Sequence, residues 1–167
     1  WSHTQAAFNL RDSIADVLNL SSEQVRVIHV EGAGCYGHNA ADDVALDAAL
    51  IAIEILNRPI LCKWTRQDEH AYEPYGTAMV LEMKAGLDSA GTISSWNHDV
   101  WSYQHSIRPR PMDGYSTLLS AQYLENPIPL PTPRLSNGRE SGGHRNADPI
   151  YNFKHKRVAH HFAPDTP

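Results

Sequence analysis

A glycine-rich segment, residues 32–39, is the feature that most constrains how this chain folds. It reads Gly32-Ala-Gly-Cys-Tyr-Gly-His-Asn39 and lies between a predicted strand, Val25–Val30, and a predicted helix over residues 41–56. Three glycines in six positions permit positive φ angles and let the backbone approach a ligand closely. The unpaired N–H groups at the start of a helix favour anionic or oxygen-rich partners. The segment therefore predicts a loop that binds a ligand through its backbone.

The same letters fit the G-x-G-x-x-G fingerprint of dinucleotide-binding domains, with strand, turn and helix in the required order. A second predicted strand, Ile60–Trp64, follows, and Arg66 or Asp68 would then contact a ribose. A doubly wound domain continues with alternating strands and helices. This chain continues instead with a hairpin and proline-rich segments. A Rossmann domain is therefore the less favoured interpretation of the loop.

Periodicity predicts an α+β fold with helices packed on a mixed sheet. Apolar residues at helical spacing indicate an amphipathic helix over Phe8–Asn19 and a largely buried helix after the glycine loop. Alternating residues predict a hairpin of strands Thr77–Leu87 and Thr92–Tyr103, joined by the turn Asp88-Ser-Ala-Gly91. Later in the chain, Leu118–Leu124 reads as one short helix and Arg157–Phe162 as a final strand.

Composition limits the classes of protein to which the chain can belong. Its 167 residues carry 14 Lys plus Arg against 19 Asp plus Glu, a net charge of −5, and no basic run that suggests a nucleic-acid partner. The longest apolar run, residues 48–53, is too short to predict a transmembrane segment. Two cysteines make no disulfide framework, and Cys62 reads as a core residue of a strand.

Cys35 permits two further interpretations, a nucleophile with His38 nearby or half of a metal site. Neither has a third ligand or an orienting carboxylate at suitable spacing. We therefore assign no metal ligands, and a small side chain packed beside a ligand is the favoured role of Cys35.

Several separated motifs occur in one order along nearly the whole chain. They are Trp1-Ser-His-Thr-Gln5, Asn9-Leu-Arg11, Val25-Arg-Val-Ile-His-Val30, the glycine segment, residues 42–50, 64–70 and 73–76, Gly143-His-Arg-Asn-Ala147 and Tyr151-Asn-Phe153. This order resembles the molybdopterin-binding large subunit of the xanthine dehydrogenase/aldehyde oxidase family. The resemblance is to its bacterial branch of isoquinoline 1-oxidoreductase-like and nicotinate dehydrogenase-like proteins.

Large subunits of that family are several times longer than this chain, so we expect an internal fragment of a molybdenum-cofactor-binding domain. Within this single fragment, residues 1–103 are expected to form the helix and sheet core that contains the glycine loop. Residues 104–148 are expected to form a proline-rich loop region, and residues 149–167 a terminal strand and tail.

The resemblance also assigns roles to residues of the loop. The side-chain amide of Gln5 is expected to donate to an oxygen ligand of the metal, as a neutral amide can without adding charge. The backbone N–H groups of Cys35 and Tyr36 are expected to face the oxo ligand. The predicted cofactor-binding set is completed by Gly32, Ala33, Gly34 and Gly37.

The implied substrate pocket contains Tyr36, His38 and Asn39. Members that oxidise purines and aldehydes carry Phe-Gly-Gly-Lys-Glu where this chain has Cys35-Tyr-Gly-His-Asn39. Because Asn39 replaces the glutamate that helps to hold purines, the expected substrate is an aldehyde or a flat N-heterocycle stacked near Tyr36.

The implied reaction is hydroxylation of an activated C–H bond with oxygen from water. The resemblance further implies a molybdenum–molybdopterin cofactor, in its cytosine dinucleotide form, and a 2Fe-2S subunit or domain that accepts the electrons. The family's general-base glutamate lies outside this chain, which is therefore expected to be inactive alone. A non-catalytic interaction domain derived from the same fold is the alternative. The sequence leaves the compartment open between the periplasm and the cytoplasm of a bacterium.

Overall fold

The computed structural model describes residues 1–36, 42–103, 109–133 and 144–163. The chain forms two compact units, each built from two stretches. The helical unit comprises Trp1–Pro74 and Ile107–Pro131, and the sheet unit comprises Tyr75–Ser106 and Thr132–Pro167. The described residues contain three α-helices and a mixed three-stranded sheet, so the predicted α+β class is confirmed.

The first helix, α1, spans Ala7–Leu18 and agrees with its prediction to within one residue at each end. Leu10 and Ile14 lie one turn apart on its buried face. The helix ends at Asn19, which adopts a left-handed φ of 52° and donates its backbone N–H to carbonyls of the last turn. Asparagine tolerates this conformation better than most residues, which explains why the helix stops there.

The core of the helical unit joins distant parts of the sequence. Helix α2, Asp43–Glu54, supplies Leu46, and a 3-10 helix, Leu119–Tyr123, lies against it. The fully buried side chains of this core come from both stretches of the unit: Leu10, Ile14, Leu46, Leu118 and Ala121. Burying a leucine side chain stabilises a fold by about 1.5–3 kcal/mol. The segment around residue 120 is therefore part of the core, and its 3-10 helix lies within the short helix predicted over Leu118–Leu124.

Helix α2 was predicted to be largely buried, and this prediction is wrong. Only Asp43 and Leu46 are buried, whereas Ile51, Ile53 and Ile55 are each more than 40% exposed. The packing of α1 and the 3-10 helix covers one side of α2 and leaves its C-terminal half open. Its apolar residues extend around more of the helix than these two neighbours can cover.

Two predicted strands, Val25–Val30 before the glycine loop and Ile60–Trp64 after α2, do not form. Residues 25–30 make a single parallel bridge, between His29 and Ser2, and residues 60–64 have no strand pairing. A strand needs a partner of matching length, and the partner of 25–30 is only a few residues long. Cys62 is therefore not a core residue of a strand; it is half-buried in an extended segment.

A third helix, α3, spans Arg66–Tyr72, a segment for which no helix or strand was predicted. It begins with a reciprocal cap, because Thr65 accepts the backbone N–H of Asp68 while Asp68 accepts the backbone N–H of Thr65 at 2.7 Å. Thr-x-x-Asp is close to the capping-box pattern and was a readable start signal.

The sheet unit is built on the predicted hairpin. Strands β1, Met79–Leu87, and β2, Ile93–Ser102, pair antiparallel, and β3, His155–Phe162, pairs parallel to β2. The turn between β1 and β2 is the predicted one: Asp88 accepts the N–H groups of Ala90 and Thr92 through its side chain. A central β2 with one antiparallel and one parallel neighbour confirms the mixed sheet.

Charged and aromatic contacts join β2 to β3. Asp99 on β2 accepts hydrogen bonds at 2.7 Å from Arg157 and from His161 on β3. The bond from Arg157, and then that from His161, hold the pKa of Asp99 well below its usual value. His161 also stacks on Trp101, with ring centroids 4.6 Å apart. These contacts fix the register of the parallel pair.

Across the described ranges, none of the helices combines the length and the apolar character that a membrane crossing requires.

A buried carboxylate of the helical unit should make stability depend on pH. Asp43 accepts the N–H of Leu119 at 2.7 Å, and burial, the largest effect, raises its pKa to about 6. Because the folded-state pKa is raised, protonated Asp43 stabilises the folded protein fully below about pH 4. This contribution is lost as the pH rises through 6. Two pKa units correspond to up to about 3 kcal/mol.

We therefore expect the stabilisation by Asp43→Asn to increase from about pH 4 to about pH 6 and to level off above that, measured as the difference in thermal midpoint from the wild type. The amide oxygen of Asn can still accept from Leu119. Asp43→Ala is the control: it removes the acceptor and should be less stable than Asp43→Asn at every pH. A difference between Asn variant and wild type that stays constant with pH would contradict the assignment.

Candidate functional site

The first residues of the chain lie beside the segment that leads into the glycine loop. The backbone N–H of Ser2 donates to the carbonyl of Ile28, and the N–H of Val30 donates to the carbonyl of Ser2, both at 3.0 Å. A Cβ placed on Gly32 would come within 3.0 Å of the Cβ of His3. Glycine at 32 therefore lets the loop begin in close contact with the amino-terminal segment.

Thr4 connects this segment to both ends of the loop. Its hydroxyl donates to the carboxylate of Asp42 at 2.7 Å, and its carbonyl accepts from Nδ1 of His29 at 2.8 Å. Because a carbonyl can only accept, His29 carries its proton on Nδ1. Thr4 and Asp42 are 1% and 2% exposed, so their hydrogen bond lies in a low-dielectric environment where it is strong. His29 precedes the loop and Asp42 follows it, so Thr4 holds the two ends together.

Within the loop, Gly34 is required by its conformation and by its neighbours. Its φ is +136°, which L side chains rarely adopt, and a Cβ there would lie 2.5 Å from the ring of Tyr36. Tyr36 itself has a φ of +48°, and its side chain is 93% exposed. The ring thus lies over Gly34 and presents its outer face to the surroundings.

The structure brings some of the predicted site residues together. Gln5 is exposed and directly follows Thr4, and Gly32, Ala33 and Gly34 are exposed in the loop that Thr4 anchors. Cys35 is half-buried. Gly37, His38 and Asn39 lie outside the described residues, so the suggested pairing of Cys35 with His38 stays a prediction.

The local chemistry is that of hydrogen-bond donors. Gly32, Ala33 and Gly34 are exposed, and Gln5 carries an amide at the end of the adjoining segment. Among residues 1–36, 42–103, 109–133 and 144–163, no group of three or more His, Cys, Asp or Glu side chains could hold a metal ion. The exposed glycines and the amide of Gln5 fit a ligand that takes hydrogen bonds from the protein.

Sequence reasoning missed Thr4 and Asp42 as parts of the site. Both residues occur in the motifs that carry the family resemblance, but neither received a role in the site. Their side chains meet across 38 positions of the chain, and no local pattern signals such a bond. The motif Trp1-Ser-His-Thr-Gln5 was the available clue, because it places Thr4 directly before Gln5.

Comparison with known proteins identifies the family. The family model for the molybdopterin cofactor-binding domain matches residues 1–108. The chain is also 35% identical over 158 residues to a nicotinate dehydrogenase subunit of Pseudomonas putida, a match that covers 95% of this chain and 12% of that protein. The chain belongs to the molybdopterin cofactor-binding domain family. No solved structure matches it.

The family match confirms the resemblance to molybdopterin-binding large subunits, and it overturns the Rossmann interpretation of the glycine loop. The fold agrees with this outcome. In the described part of the chain, the residues before the loop form a single bridge with Ser2 and do not belong to the β1–β2–β3 sheet. A dinucleotide-binding domain places that segment as a strand at the centre of a parallel sheet.

Thr4 provides a direct test of the loop anchor. Thr4→Val keeps the shape of the side chain but removes the hydroxyl that donates to Asp42, and a hydrogen bond to a charged group contributes about 1.5–3 kcal/mol. We expect faster amide hydrogen exchange in residues 28–36 and a lower molybdenum content. Thr4→Ser retains the hydroxyl and should resemble the wild type. Equal exchange rates in the Val and Ser variants would show that this bond does not anchor the loop.

Proposed function

We propose that this chain supplies cofactor contacts to the large subunit of a molybdenum hydroxylase, which oxidises an aldehyde or an N-heterocycle with oxygen from water. The observation that carries the proposal is the glycine loop, anchored by Thr4 beside Gln5, in a chain of the molybdopterin cofactor-binding domain family. The chain spans 12% of the length of the curated relative, so the activity of the whole protein is part of the proposal.

In this proposal the loop acts through hydrogen bonds. The backbone N–H groups of Cys35 and Tyr36 donate to oxygen on the cofactor, and the amide of Gln5 donates from the neighbouring segment. Gly32, Ala33, Gly34 and Gly37 have small side chains or none, which would let the backbone come close to the cofactor. When bound, the molybdenum centre supplies the two-electron oxidation and the oxygen that is transferred. Donors held in place before substrate arrives stabilise developing charge most effectively.

The exposed ring of Tyr36 favours the proposal that the substrate is aromatic. Its free face offers a stacking surface for a flat ring, and His38 and Asn39 follow closely enough in sequence to complete a pocket. The name of the relative from Pseudomonas putida indicates that it oxidises nicotinate, a carboxylated N-heterocycle. We therefore favour an N-heterocycle over an aldehyde for this protein.

The remaining parts of the proposed enzyme lie outside this chain. We propose the cytosine dinucleotide form of the cofactor, a general-base glutamate elsewhere in the large subunit, and a 2Fe-2S subunit or domain that accepts the electrons. The relative is described as one subunit of its enzyme, which supports an assembly of several chains. A non-catalytic domain of the same fold would need neither the cofactor nor these partners. Molybdenum content and turnover distinguish such a domain from the proposed enzyme.

The first experiment addresses cofactor binding. In the complete large subunit, Gly34→Val should remove most of the bound molybdenum, because valine resists the positive φ and its Cβ meets the ring of Tyr36. Gly114→Val is the matched control: Gly114 also has a positive φ, of +71°, but a Cβ there meets nothing within 4 Å. Metal content per protein molecule is measured by elemental analysis.

Full molybdenum content in Gly34→Val, or equal losses in both glycine variants, would show that the loop is not part of the cofactor site. The absence of molybdenum from the wild-type enzyme would instead favour the non-catalytic alternative. Calorimetry with a nicotinamide dinucleotide serves as a second readout, and we expect no binding to the wild type or to either variant.

The second experiment addresses catalysis. Gln5 is exposed, so Gln5→Ala should leave the thermal midpoint nearly unchanged. If its amide supports the transition state, losing the bond costs about 1.5–3 kcal/mol and lowers turnover roughly ten- to a hundredfold. Gln67→Ala, at another exposed glutamine, is the control and should retain full turnover. Unchanged turnover in metal-loaded Gln5→Ala would show that Gln5 has no catalytic role.

A further inference from the structure

Strand β1 forms one edge of the sheet that the described residues build. The sheet order β1-β2-β3 pairs β1 on one side only. An unpaired strand edge presents a row of backbone N–H and C=O groups that can pair with another strand. The nine residues of β1 are regular along this edge, because the register shift between Gly86 and Leu87 leaves out Ser94 of β2 and no residue of β1. The edge is therefore long enough to bind a further strand.

One face of β1 is apolar and exposed. Successive residues of a strand point to opposite faces of the sheet, so the odd-numbered residues of β1 share one face. Its large apolar side chains are between 44% and 66% exposed: Met79, Leu81, Met83 and Leu87. Soluble proteins usually avoid a long, apolar strand at an open edge, because it promotes pairing with other chains. The composition of β1 therefore favours pairing.

The opposite face of β1 carries one acid and one base. The Glu82 carboxylate and the Lys84 ammonium form an ion pair of 2.5 Å, and their side chains are 50% and 73% exposed. A lysine on an edge strand often discourages pairing, because it brings an uncompensated charge to the partner. Here Glu82 compensates the charge of Lys84, and both side chains are accessible to a second strand.

We propose that β1 pairs antiparallel with β1 of a second copy of this chain, related by a two-fold axis perpendicular to the sheet. Such an axis keeps each face of the sheet on its own side, so it must pass beside a single residue of the strand. With the axis at Met83, all nine residues of β1 pair. Glu82 of each copy then lies directly opposite Lys84 of the other.

Charge selects this register over its two neighbours. With the axis at Glu82, the Glu82 carboxylates of the two copies lie opposite each other, and with the axis at Lys84 the two ammonium groups do. Opposite charges across a strand pair stabilise it, whereas like charges directly opposite destabilise it. Each of these shifts also leaves two residues at one end of β1 without a partner in the strand. The fullest pairing and the best charge pairing therefore coincide.

The apolar face of β1 fits the same register. Leu81 lies opposite the small side chain of Ala85, Met79 lies opposite Leu87, and the two copies of Met83 lie opposite each other. Cross-strand pairs of apolar side chains are in contact at the spacing of paired strands. An antiparallel pair of this length adds roughly eight to ten backbone hydrogen bonds. The sheet then continues from one copy into the other.

Charge variants of the complete protein test the pairing. Glu82→Lys places a lysine opposite Lys84 at two points of the interface, and Lys84→Glu places glutamates opposite Glu82 in the same way. We expect sedimentation velocity between about 0.1 and 100 μM to show a wild-type dimer, and a dissociation constant roughly ten- to a hundredfold higher in each single variant. The double variant restores both opposite-charge contacts and should dimerise like the wild type.

The double variant separates a lost contact from a folding defect, because it contains both substitutions. A wild type that remains monomeric, including one in which a different chain is bound at β1, would overturn the proposal. Single variants that dimerise as tightly as the wild type would do the same, as would a folded double variant that dimerises no better than they do. The thermal midpoints of all four proteins show which of them are folded.

A crosslink tests the register without altering the charges. Met83→Cys brings two thiols together at the axis, whereas the thiols of Met79→Cys lie eight residues apart along the paired strands, roughly 27 Å. Both positions are exposed, so a short bismaleimide reaches both, and native cysteines contribute equally to the two variants. We expect a crosslinked dimer with Met83→Cys and only the wild-type background with Met79→Cys. Equal yields from the two variants would contradict the proposed pairing.

Discussion

The hydrogen bond between Thr4 and Asp42 is the interaction on which the candidate site depends. A glycine-rich loop has many accessible conformations, and holding it in one of them requires contacts at both ends. Thr4 provides these contacts from a single residue, through its hydroxyl to Asp42 and its carbonyl to His29. Because Gln5 follows Thr4 directly, the loop and the amide beside it share one support. Any displacement of the loop would therefore displace Gln5 as well.

Local signals in the sequence were sufficient to predict those elements whose structure depends on residues close together in the chain. Helix α1 has its apolar residues at helical spacing, and the β1–β2 hairpin has an Asp-containing turn that forms its own hydrogen bonds. The strand predicted over 25–30 has the right composition, but pairing is a property of two segments, and its partner is short. The extent to which α2 is buried likewise depends on how many elements reach it, which periodicity does not reveal.

The same distinction applies to the site. Glycine at 34 was predictable as a position of close backbone approach because glycine has few other uses in such a loop. The orientation of the Tyr36 ring over Gly34 and the bond across 38 positions to Asp42 were not predictable, since both arise from tertiary packing. Helix α3 is a different case. Its capping residues were readable in the sequence, and the element was missed because the helix is only seven residues long.

The helical unit is built from two separate stretches of the chain, which has a consequence for synthesis on the ribosome. Leu10 and Leu46 share a core with Leu118 and Ala121, so α1 and α2 are complete long before the residues that cover them exist. At typical elongation rates of about 5–20 residues per second, the nascent chain exposes that apolar face for on the order of ten seconds. During this interval the β1–β2 hairpin emerges between the two halves of the core. Premature termination before residue 118 would leave the buried faces of α1 and α2 without their cover.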